Sequence, residues 1–142
     1  IVTQNIDGLH QAAGSKNVFE LHGSVHRNYC QKCGKFFDVN YVVNAKGVPY
    51  CDECGGIIKP DVVLYEEGLD SQTINGAVRA ISKADMLIIG GTSLVVYPAA
   101  GMIDYFKGKY LAVLNRDATS RDKQADLCIT DPIGEVLGRI RV

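Results

Sequence analysis

The chain has 142 residues, 15 basic against 16 acidic, with 46% hydrophobic and 22% charged residues. These proportions exclude a disordered chain of low hydrophobicity, and the near-neutral balance argues against a dedicated nucleic-acid binder. There is no apolar run of ~18 residues for a membrane span. The opening IVTQNIDGLH lacks the basic stretch and apolar core of an export signal, which predicts a cytoplasmic chain, and its start at Ile1 reads as a cut from something longer.

In chain order, short β-branched runs predict strands at IVT, VFEL (18–21), PDVVLY (60–65), DMLIIGG (85–91), YLAVLN (110–115) and DLCIT (126–130). Such continuous runs suit strands buried on both faces. Between them lie helical patterns. Over 70–83, Ile74, Ala77, Val78 and Ile81 fall on one face, with Asp70 or Ser71 as N-cap. Pro98 opens a predicted helix at 98–107 as its first residue. Asp131 and Pro132 form a cap and first turn for a stripe of Ile133, Val136, Leu137 and Ile140. Alternating strands and helices predict an α/β fold, a Rossmann-like doubly wound parallel sheet built from 1–26 and 59–142. Residues 27–58 are polar and rich in Cys and Gly, and read as an inserted zinc-ribbon module.

The insertion carries Cys30-x-x-Cys33 and Cys51-x-x-Cys54, separated by residues 34 to 50. That spacing is a structural zinc pattern. Gly34 and Gly55 follow the second Cys of each pair and allow backbone N–H groups to turn toward the sulfurs. Disulfides would need an oxidising compartment, and a redox motif would not need a second pair. Four cysteines close the tetrahedron and leave no open position, so this zinc holds a fold and does no chemistry. His26 is near Cys30 but is not needed as a ligand. Cys128, in the apolar DLCIT, is expected to be a buried small hydrophobe.

Ligands of doubly wound sheets sit beyond the carboxyl ends of the strands. The residues that follow the strands are Gln4-Asn5-Ile6-Asp7-Gly8, His22-Gly23-Ser24, Gly90-Gly91-Thr92-Ser93 and Asn115. The GGTS segment suits a phosphate, although it is also an ordinary turn sequence and neither GxGxxG nor GxxxxGK[ST] occurs. His22 is placed for proton transfer near neutral pH; His10 and His26 are not. Asn5 and Asp7 are either site residues or an Asx turn closed by Gly8.

TQNIDGLH (3–10), ELHGS (20–24), the paired CxxC motifs, KPDVVLYEE (59–67), GTSLVVYPA (91–99) and Asn115 occur in the order found in sirtuins. The chain resembles the Sir2 family of NAD-dependent protein lysine deacylases, and its YEEGL and SLVVYPAA strings resemble the bacterial branch. The resemblance implies that Gln4 contacts the nicotinamide ribose, that Asn5 stands where the glycosidic bond breaks, and that Ile6 and Asp7 receive the carboxamide. It implies that His22 is the catalytic histidine, that Gly91, Thr92 and Ser93 meet phosphate, and that Asn115 binds the adenosine ribose. Val63 and Val96 would line an acyl-lysine tunnel, with Tyr65 and Tyr97 beside it. Substrate peptide would add as a strand between 65–67 and 94–97. NAD+ would be consumed as co-substrate: the acyl oxygen attacks the ribose C1′ as nicotinamide leaves, and neutral His22 then activates a ribose hydroxyl. The resemblance thus implies activity that falls below the imidazole pKa of ~6.5.

The sequence departs from the family in two places. Tyr65-Glu66-Glu67 replaces a common Phe-Gly-Glu, which adds a charge beside the peptide groove. The family's Gly-Ala-Gly phosphate loop and flexible cofactor loop have no counterpart, so the isolated chain is expected to be inactive or poorly folded. Two other functions remain open: transfer of ADP-ribose to a protein, and a non-enzymatic zinc-ribbon binding module. For the module, Arg27, Lys32, Lys35, Lys46 and Lys59 are scattered and opposed by Asp38, Asp52 and Glu53, so neither nucleic acid nor membrane is expected as a partner.

Overall fold

The computed structural model describes residues 1–140, in two compact units, Ile1–Ile74 and Asn75 onward. In the first, β1 (Val2–Thr3) pairs in parallel with β2 (Phe19–Glu20), Thr3 opposite Glu20. Helix α1 (Leu9–Ala12) lies between them. Three antiparallel strands follow in the order β4-β3-β5: β3 (Gly23–Cys30), β4 (Phe36–Asp38) and β5 (Ile58–Val62). A short helix, α2 (Val39–Val43), follows β4, and the Asp38 side chain accepts a hydrogen bond from the Tyr41 N–H at its start. Phe37 and Ile58 are buried together with Cys30 and Cys51, so the core of this small sheet is built around the sulfurs.

The PDVVLY prediction is corrected by β5. Residues 58–62 pair antiparallel to β3, and Leu64 and Tyr65 lie outside any strand and are exposed. A continuous apolar run does not distinguish a parallel strand from an antiparallel one. VFEL likewise contributes only two half-buried strand residues.

Helix α3 (Ser71–Lys83) matches its predicted pattern, with Ala77 and Ile81 buried. Its cap is Asp70, whose carboxylate accepts from the Thr73 N–H at 2.7 Å and the Thr73 hydroxyl at 2.8 Å. In the second unit, β6 (Met86–Gly90), β7 (Tyr110–Leu114) and β8 (Leu127–Ile129) form a parallel sheet in that order. Ile89, Leu111 and Val113 share one face and form its core with Leu94, Ile103 and Phe106.

Only β7 is buried along most of its length; Met86, Ile88 and Leu127 are exposed, against the expectation of strands covered on both faces. Cys128 is also exposed, which overturns its assignment as a buried hydrophobe, because it lies on β8 at the margin of the sheet. The helix predicted for 98–107 is α4 (Ala99–Met102) followed by a 3₁₀ turn over 103–105, with Pro98 just before it. Asp131 does not cap α5 (Ile133–Gly138). Pro132 holds that position, no side-chain cap forms, and Ile133, Leu137 and Ile140 remain exposed.

No helix among the described residues is long and apolar enough to cross a membrane. Parallel strands alternating with helices, together with the four-cysteine module, make the fold Rossmann-like α/β with an insertion.

Candidate functional site

The four predicted cysteines converge. Their sulfurs all lie within 4.8 Å of one another, with Cys30 Sγ to Cys54 Sγ at 3.4 Å and Cys33 Sγ to Cys51 Sγ at 3.7 Å. A tetrahedron with ~2.3 Å Zn–S bonds has edges of ~3.8 Å, so the donor set fits zinc. Each CxxC closes through a matching turn: the Gly34 N–H donates to the Cys30 carbonyl and the Gly55 N–H to the Cys51 carbonyl, both at 2.9 Å. Both glycines have positive φ, as expected of knuckles. Gly56 was missed from sequence. A Cβ there would stand 2.7 Å from the Cys30 sulfur, so its bareness makes room for the cluster.

The Cys33 backbone N–H, helped by that of Lys32 and opposed by burial, lowers the Cys30 thiol to about 6, whereas, against the Lys35 N–H, the sulfurs of Cys54 and Cys30 push the Cys33 thiol up. Lys35 joins the two knuckles through Asp52 and Glu53, both at 2.8 Å, and these carboxylates raise its pKa. His26 is not part of the cluster.

The second site lies at the carboxyl ends of β1 and β2. The Leu21 N–H donates to the Thr3 carbonyl at 2.9 Å, so Gln4 and His22 leave the same end of one short ladder. The Val63 N–H donates to the His22 carbonyl at 3.0 Å, which brings Val63 to the same turn. Gly23, at φ 75°, makes this approach possible: a side chain there would run into the Asp61 carbonyl. Gln4 Nε2 is buried and has no partner among the described residues. An orphaned amide donor at this strand end fits a ligand that brings an acceptor, such as a ribose hydroxyl.

Asp7 forms the Asx turn, its carboxylate accepting from the Leu9 N–H at 3.0 Å, and Gly8 adopts φ 69°. Asn5 is exposed and Ile6 half-buried; the Ile6 carbonyl accepts from the Val25 N–H. Tyr65 is fully exposed.

In the second unit, the strand-end residues surround a cavity of about 620 Å³ lined by Gly91, Thr92, Ser93 and Asn115, with Arg116, Asp117 and Asp131. The Asn115 side chain joins two loops: its Oδ1 accepts from the Thr92 N–H at 3.0 Å and its Nδ2 donates to the Asp117 carbonyl at 2.8 Å. Sequence reading missed Arg116, Asp117 and Asp131, although each directly follows a strand or its first turn. Val96 and Tyr97 are exposed on the segment before α4.

The chain is 67% identical over 138 residues to an NAD-dependent protein deacetylase of Clostridium acetobutylicum, a match covering 96% of this chain and 56% of that protein. The chain therefore spans a little over half the length of such curated relatives. It superposes on a Sir2 solved with p53 peptide and NAD+ at a TM-score of 0.87 and 39% identity, covering 97% of this chain and 60% of the other. A Sir2 with an inhibitor, 2′-O-acetyl-ADP-ribose and deacetylated p53 peptide gives 0.87 and 41%, with 97% and 61% coverage. A Sir2 family profile matches residues 1–98, and the chain belongs to the Sir2 family.

Proposed function

We propose that this chain carries the chemistry of an NAD-dependent protein lysine deacylase, moving an acyl group from lysine to ADP-ribose with release of nicotinamide. The observation that carries the reading is the β1–β2 strand end, where an orphaned Gln4 amide and the His22 turn emerge together. The co-substrate NAD+ supplies a ribose carbon that nicotinamide leaves and hydroxyls that accept the acyl group.

Gln4 donates to a ribose hydroxyl. Asn5 stands at the breaking bond, and Ile6 and Asp7 receive the carboxamide. His22 takes the hydroxyl proton on a ring nitrogen. Gly91, Thr92 and Ser93 hold phosphate and Asn115 the adenosine ribose. Val63, Tyr65, Val96 and Tyr97 receive an acyl-lysine peptide, consistent with relatives solved with peptides. The zinc module comprises 27–58, and 1–26 with 59–142 form the NAD-binding part. A cytoplasmic location goes with this reading, since free thiolates need a reducing compartment.

The test is nicotinamide release from NAD+ with and without an acetyl-lysine peptide. Peptide-dependent release with acetyl-ADP-ribose as product supports deacylation. Release that labels a protein with ADP-ribose instead overturns it in favour of ADP-ribosyl transfer.

A further inference from the structure

The antiparallel pairing of β3 with β5 is broken at one place. Ser24 opposes Asp61 and Asn28 opposes Pro60, so Val25, His26 and Arg27 are extra residues without backbone pairing partners on β5. Bulges of this kind re-aim side chains and are common beside active sites.

This bulge is braced from both ends by the two buried polar residues of the described chain. Ser24 Oγ accepts from the His26 N–H at 3.2 Å, and Asn28 Nδ2 donates to the Val25 carbonyl at 3.1 Å. Each bulge residue then grips a segment already assigned to the site. The Val25 N–H donates to the Ile6 carbonyl at 3.0 Å. His26 Nε2 lies 2.9 Å from the Asp7 carbonyl, and its ring rests so closely on Gly8 that a Cβ there would come within 2.8 Å. Arg27 spans the walls of the His22 turn, donating to Glu20 at 2.7 Å on one side and to Asp61 at 2.8 Å on the other.

We propose that the Val25–Arg27 bulge is the positioning element of this site, in which His26 sets the Asn5–Gly8 loop and Arg27 sets the turn that presents His22. Neither residue touches substrate; both act through the segments they hold. The proposal rests on the deacylase reading for its kinetic consequences, but not for its structural ones.

The experiment compares His26→Ala, His26→Gln and Arg27→Lys in the full chain, zinc-loaded, by amide hydrogen exchange and by steady-state kinetics. His26→Ala is expected to speed exchange at Leu9 and Val25 by about tenfold, the loss of one hydrogen bond, with Val113 unchanged. The Gln variant, which keeps a donor for the Asp7 carbonyl, restores protection. Arg27→Lys cannot reach both carboxylates and is expected to speed exchange at Val63, which donates to the His22 carbonyl.

In kinetics, the loss at His26 is expected mainly in KM for NAD+, and the loss at Arg27 mainly in kcat. Unchanged exchange at Leu9, Val25 and Val63 overturns the proposal. So does uniformly faster exchange of every amide in the unit, which is the mark of a merely structural role. The local exchange pattern in the variants of a protein that, completed to the length of its curated relatives, still releases no nicotinamide supports the bulge as a positioning device and overturns the deacylase reading instead.

Discussion

His22 takes its backbone position from three neighbours: Leu21 is hydrogen-bonded to β1, Val63 to the His22 carbonyl, and Gly23 lies against Asp61. Gly23→Ala is therefore expected to displace the turn and abolish peptide-dependent nicotinamide release; a variant of normal activity would show that the contact relaxes freely. His22→Ala is expected to lose nearly all deacylation while keeping the wild-type melting temperature, because its ring makes no hydrogen bond that the fold needs; comparison of rate and melting curve checks both halves. Cys128 gives a simpler test. Iodoacetamide should label it in zinc-loaded protein and spare Cys30, Cys33, Cys51 and Cys54, as peptide mass mapping would show.

Among the elements, α3 has the clearest link between stability and pH. The Thr73 backbone N–H, then its hydroxyl, hold the Asp70 carboxyl below its ordinary 3.8. A carboxylate whose folded pKa is depressed stabilises above its unfolded pKa and loses that stabilisation as pH falls through the folded one. The Asp70 cap should thus be intact at neutral pH and lost only below about pH 4. Asp70→Asn should flatten that acid limb in a melting-temperature series; an unaltered limb would assign it to other carboxylates.

The elements also show what was legible in the sequence. The spacing of Ile74, Ala77, Val78 and Ile81 revealed α3, and the two CxxC pairs revealed the thiolate cluster, because both signals are local and periodic. The strand-end rule located Gln4, His22, Gly91 and Asn115. The direction of β5 was hidden, since Pro60-Asp61-Val62-Val63 reads the same in either kind of sheet. The Val25–Arg27 bulge was hidden for a deeper reason: it exists only because Ser24 and Asn28 pair with adjacent residues of a strand more than thirty positions away. Nothing local to His26 therefore reveals its bond to the Asp7 carbonyl.

For the molecule as a whole, the zinc cluster substitutes for a core that the small antiparallel sheet lacks. Phe37 and Ile58 are too few to hold three short strands, and the buried sulfurs complete their cluster. Zinc binding is then folding energy, so chelation should unfold 23–62 cooperatively and lower the melting temperature steeply. A melting curve unmoved by chelator would refute the assignment. The same strand β3 runs from Cys30 back to the bulge, so loss of metal should reach the Asn5–Gly8 loop as well.

The stranded amide of Gln4 bears on how far selection has optimised the free protein. A donor buried without an acceptor costs about 1–3 kcal/mol, and here it is carried by the unliganded state. Gln4→Met, similar in shape and without the donor, should therefore melt higher than wild type while binding NAD+ more weakly. Under the deacylase reading, a ribose hydroxyl would satisfy that one atom and recover the stability it costs.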